Sequence, residues 1–129
     1  MKAILAFLSF ALIAASAQQP AQDKNFVVVS NATGFVLVPR TAVAAITMNS
    51  NRIVFLKKKM TDEMAKNEED HKLTWARQSA GKISAIAAAA DDRARNRAMF
   101  EKFKPMDQEI AERRLSILEL KRAHKIPDP

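Results

Sequence analysis

The sequence predicts an α+β fold, with one or two short N-terminal β-hairpins followed by a long two-helix antiparallel hairpin. Three observations carry this expectation. β-Branched residues concentrate between Phe26 and Leu56. Good helix formers dominate from Met60 onward. Pro105 then divides that helical region, because the residue before a proline is pushed off helical angles.

The chain opens with the order of a cleavable secretory signal. Lys2 supplies one positive charge, Ala3 to Ala15 is apolar except for Ser9, and Ala15-Ser16-Ala17 offers the small residues a signal peptidase accepts. The alternative is a membrane anchor, which needs about 20 apolar residues; this run is nearer 13. Residues 1–17 are therefore expected to be removed, which places the protein outside the cell, or in the periplasm of a bacterium. Removing them from a chain of 129 residues and net charge +7 leaves one domain's length and about +6. Gln18 to Asn25 reads as a flexible polar lead, and residues 26–129 as a single small domain.

Within that domain, residues 26–56 are expected to be β-rich. Phe26-Val27-Val28-Val29 and Phe35-Val36-Leu37-Val38 flank Ser30-Asn31-Ala32-Thr33-Gly34, a hairpin about a glycine-containing turn that Pro39 ends. Val43 to Met48 and Arg52 to Leu56 fit a second hairpin about Asn49-Ser50-Asn51, although Thr41 to Ile46 also fits the start of a helix. The apolar runs are continuous, which suggests strands covered on both faces.

Residues 60–125 are expected to be helical. Thr61-Asp62-Glu63 reads as a helix cap with acidic first-turn residues. Between Asp62 and Lys72 only Met64 and Ala65 are apolar, so this stretch projects into solvent or frays. Apolar residues return at Leu73, Trp75 and Ala76, then Ala80, Ile83, Ile86, Ala87, Ala90, Ala94 and Ala98, in steps dominated by three and four. That stripe is read as core. Its members Trp75, Ile83, Ile86 and Ala90 also make a candidate seam for self-association or for an apolar ligand. Gly81 interrupts the stripe at a cost of about 1 kcal/mol relative to alanine. The two helices are expected over 60–103 and 105–125.

Composition narrows the chemistry. The chain has no cysteine and no tyrosine, and two histidines, His71 and His124. Thiolate metal sites, disulfides and cysteine nucleophiles are excluded. With Gly34 and Gly81 as the only glycines, no phosphate-cradling loop can be built, and neither G-x-S-x-G nor H-E-x-x-H is present. His71 lies in the charged run Glu68 to Lys72, and Asp91-Asp92 points its two carboxylates in different directions on a helix. No catalytic, cofactor-binding or metal-ligating residue is expected. The acidic cluster of Asp62, Glu63, Glu68, Glu69 and Asp70 lacks the spacing of a calcium loop.

Basic residues are the more informative group. Lys57, Lys58 and Lys59 are consecutive, and Arg93, Arg95 and Arg97 recur at every second position. Together they form a candidate surface for an anionic partner, either lipid, glycan or an acidic protein. Nucleic acid is not expected, because no aromatics interleave with the basic residues. Asn31-Ala32-Thr33 matches the N-glycosylation acceptor pattern, which would matter in a eukaryotic host. The function expected is that of a small secreted or periplasmic non-enzymatic interaction protein that binds a protein partner or itself through helical surfaces. The alternative is a carrier of an amphipathic or anionic small ligand or lipid between its helices.

Overall fold

A computed structural model describes residues 24–128. The reading of residues 1–17 as a signal, and of most of the polar lead, lies outside the described residues. The element order is β1 (Phe26–Asn31), β2 (Gly34–Pro39), α1 (Arg40–Ser79) and α2 (Ala85–Ala123). An antiparallel two-stranded hairpin is thus followed by two long helices packed against each other. The chain forms two compact units. Among the described residues, unit 1 takes in 24–54 and 112–128, and unit 2 is Phe55–Ala111.

In unit 1, β1 and β2 pair from Phe26↔Pro39 to Asn31↔Gly34. The turn is closed by Asn31, whose Oδ1 accepts the Thr33 backbone N–H at 2.9 Å and the Thr33 hydroxyl at 2.6 Å. This side-chain mimic of a backbone turn is the reason asparagine favours such positions. Alternation along each strand puts Phe26, Val28, Phe35 and Leu37 on one face and Val27, Val29, Val36 and Val38 on the other. Val38 is wholly buried, whereas Phe35 is 71% and Leu37 60% exposed. Among the described residues the apolar strands are therefore covered on one face, not on both.

Of the two readings left open over 41–56, a second hairpin or the start of a helix, the structure shows the helix: α1 starts at Arg40, directly after Pro39. Its β-branched residues weigh against helix individually, but their spacing decides otherwise. Ala42, Ile46, Asn49 and Ile53, all buried or half-buried, recur in steps of four, three and four, which makes one inward stripe on a helix. Asn49-Ser50-Asn51 is consequently not a turn. Asn49 is half-buried; its Oδ1 accepts from Arg113 Nη1 at 2.8 Å and its Nδ2 donates to Ser116 Oγ at 3.4 Å, so it ties α1 to α2.

Unit 2 carries the reversal of the chain. Thr61, expected to cap a new helix, lies inside α1, with its hydroxyl donating to the Lys57 carbonyl at 3.0 Å. α1 ends at Ser79. Gly81 has φ +73°, its N–H donates to the Gln78 carbonyl at 2.9 Å, and the Lys82 N–H donates to the Arg77 carbonyl at 2.9 Å. That pair of bonds around a left-handed residue is the Schellman termination. Gly81 is thus not a flaw inside a helix but the residue that stops one. Ser84 then caps α2, its Oγ accepting the Ala87 N–H at 3.1 Å.

The helices consequently divide at residues 80–84 and not at 104–105. Pro105 sits inside α2 on an exposed turn, where water can reach the Glu101 carbonyl that its missing N–H leaves free. α2 ends as α1 does: Lys125 has φ 52°, its N–H donates to Arg122 and that of Ile126 to Lys121, and Pro127 follows.

Candidate functional site

The inward stripe of α1 in unit 2 runs Leu56, Met60, Glu63, Asn67, Asp70 and Thr74, in steps of four and three. Four of those six residues are polar, while Met64 and Leu73 lie exposed. Residues 62–72, expected to project or fray, form unbroken helix in which Glu63, Asn67 and Asp70 face the seam and the others project into solvent. Lys102 Nζ reaches Glu63 Oε2 at 3.2 Å, and Asn67 Nδ2 donates to Asn96 Oδ1 at 2.8 Å.

Asp92 is the centre of this seam. Its Oδ2 accepts from Trp75 Nε1 at 2.7 Å and lies 2.7 Å from His71 Nδ1; its Oδ1 is paired with Arg95 Nη2. Burial raises the Asp92 pKa, but hydrogen bonds from Trp75 and His71 and the charges of His71 and Arg95 lower it, and the lowering prevails. An ionised carboxylate only accepts, so His71 meets it with a protonated Nδ1. The His71 and Trp75 rings stand 6.1 Å apart, tilted at 59°.

Arg95 extends the cluster. Its Nη1 donates to Thr74 Oγ1 at 2.6 Å, and that hydroxyl donates to the Asp70 carbonyl at 3.0 Å. Thr74 is only 5% exposed. Arg95 Nε is buried with no partner among the described residues. Beside this guanidinium a solvent-open groove of about 570 Å³ lies near the interhelix turn, lined by Arg77, Lys82, Asp70 and Leu73 among others.

These positions revise the residues singled out from sequence. Lys57, Lys58 and Lys59 are exposed on α1, and Lys58 Nζ pairs with Asp62 Oδ2 at 2.9 Å. Arg93 and Arg97 are exposed on α2, but Arg95 turns into the seam and does not join them. By the contacts above, the two basic groups lie roughly ten residues apart along the helices, about 15 Å at 1.5 Å per residue. They do not form one surface. The proposed seam of Trp75, Ile83, Ile86 and Ala90 is also split: Trp75 lies on α1, Ile83 in the turn, and Ile86 and Ala90 on α2. Ile86 is 81% exposed. A period of three to four continued across the turn, and for that reason it looked like one stripe. Asn31, the glycosylation candidate, spends its Oδ1 on the turn, and its Nδ2 donates to the Asp128 carbonyl at 3.2 Å.

Sequence reasoning missed the Asp92 cluster. From sequence, His71 reads as part of a charged run and Asp91-Asp92 as two carboxylates that point apart on a helix. The available signal was the four-three spacing of Glu63, Asn67, Asp70 and Thr74, which is visible only if polar residues are admitted to the stripe. Among the described residues no group of three or more histidines or carboxylates could hold a metal ion, and no helix is long and apolar enough to cross a membrane. No protein family matches the chain, and no curated protein or solved structure is similar to it.

Proposed function

We propose that this chain is a small, secreted or periplasmic, non-enzymatic interaction protein whose first partner is a second copy of itself. The observation supporting this reading is the outer face of the β-hairpin, where Phe26, Val28, Phe35 and Leu37 lie together and Phe35 and Leu37 are mostly exposed. Both strands also have an unpaired edge, since the described sheet has two strands only. An apolar face beside free strand edges is a template for pairing with another chain. A second hairpin laid against it, edge to edge or face to face, would cover the exposed aromatics and satisfy the open backbone groups.

Sedimentation of the purified protein tests this, with and without high salt. A dimer or larger species that persists in high salt is expected, because apolar burial is not screened. Replacing Phe35 and Leu37 together by serine should yield a monomer of unchanged helical content, since neither side chain is part of the buried core. A wild-type protein that sediments as a monomer at micromolar concentration would overturn the reading.

A further inference from the structure

We propose that the groove beside the interhelix turn of unit 2 binds an amphipathic anion: one phosphate or carboxylate group carried on a short apolar chain. This does not rest on self-association, which involves the hairpin of unit 1, so either reading can fail without the other.

Charge is the first argument. Arg77, Lys82 and Arg95 line the groove against a single carboxylate, Asp70. The Arg77 and Lys82 side chains have no ion-pair or hydrogen-bond partner among the described residues. Two cations that pair with no carboxylate therefore share this opening with Asp70, while the Arg95 charge is already met by Asp92. The second argument is preorganisation. The Arg95 guanidinium is held by Thr74 through Nη1 and by Asp92 through Nη2, so its plane is set before any ligand arrives. Its Nε is left with a buried hydrogen and no acceptor. Such orphaned donors are rare in folded proteins, and because this one is out of contact with solvent, the groove's two unpaired cations, and not Nε, are what an anion meets.

Size and lining complete the case. The groove is open to solvent, so its space of about 570 Å³ admits a short chain lying along the wall and not one enclosed by it. Leu73, Ala76 and Ala80 supply the apolar part of the wall, against which an alkyl chain gains by leaving water. A polyanion would need cations along a track, and Lys57 to Lys59 lie too far along α1 to continue this one.

The test is an NMR titration of the isotope-labelled full chain with octyl phosphate, octanoate and inorganic phosphate, each amphiphile below its micelle concentration. At least one amphiphile is expected to shift the amide signals of Thr74, Arg77, Ala80 and Lys82 saturably, and the tighter of the two identifies the head group. Inorganic phosphate should bind at least about tenfold more weakly, the loss of one apolar chain's contribution. The double variant Arg77→Gln/Lys82→Gln alters no folded-state contact, so it should keep its helical circular dichroism and lose about tenfold or more in affinity. No saturable shift with either amphiphile, shifts that the double variant retains, or inorganic phosphate binding as tightly as octyl phosphate would each overturn the proposal.

Discussion

Replacing Gly81 by alanine distinguishes the two ways of reading residues 60–103, because they demand effects of opposite sign. In the structure Gly81 has φ +73° and no heavy atom lies within 4 Å of where a Cβ would stand. Added bulk therefore costs nothing, and the effect is purely one of backbone conformation. Holding an L-residue in the left-handed region costs about 1–2 kcal/mol. The less flexible unfolded chain returns about 0.4–1 kcal/mol of that. The net expectation is a loss of about 1 kcal/mol. Were Gly81 inside a continuous helix, alanine would instead stabilise by about 1 kcal/mol. Urea denaturation followed by far-UV circular dichroism resolves a difference of this size: at about 1–3 kcal/mol per molar urea, the midpoint should fall by roughly 0.5 M. A midpoint that rises would refute the termination at residues 80–82 and the helix boundary built on it. The end of α2 supplies the reciprocal arm. Lys125 occupies the same left-handed position at φ 52°, so Lys125→Gly should raise the midpoint by a similar increment.

Two further outcomes follow from the cluster in unit 2. The Asp92 pKa is lowered from its ordinary value of 3.8, so the stability it contributes is present above that value and is lost as pH falls through the lowered one. Asp92→Asn should therefore be less stable than wild type at neutral pH and lose less stability on acidification; parallel acid profiles of the urea midpoint would refute this role. Thr74→Val keeps the side chain's shape but leaves Arg95 Nη1 facing a methyl group in a buried site, a loss of about 1–3 kcal/mol. Thr74→Ser should retain most of the wild-type midpoint, and a valine variant as stable as wild type would dismiss the contact.

The first hairpin was legible because its signals were local: valine-rich runs, an Asn-Ala-Thr-Gly turn and a closing proline. The topology of two antiparallel helices was legible for the same reason, as a long helical composition with a break. The position of the break was not. Gly81 and Pro105 are both helix breakers by propensity, and choosing between them required knowing which could be tolerated. Proline survives where its turn faces solvent, whereas glycine at the end of a helix is an asset. Residues 41–56 stayed ambiguous between a second hairpin and a helix, because β-branched side chains prefer strands locally while the apolar spacing also fits a helix. As part of α1, the same residues share a helix already nucleated and an inward stripe already begun. The Asp92 cluster was least legible of all, since hydrogen bonds between residues about twenty positions apart depend on a register that no local pattern encodes.

The seam of unit 2 also bears on how the helices find their alignment. A row of leucines would let one helix slide by a heptad past the other with little penalty, because each rung resembles the next. Here every rung is different: a carboxylate meets an ammonium, an amide meets an amide, a hydroxyl meets a guanidinium. A slip of seven residues would strand Thr74 and Arg95 away from each other and set mismatched polar groups side by side along the seam. The seam thus works as a lock with several differently cut pins, in which selectivity for one alignment takes precedence over the depth of the energy well.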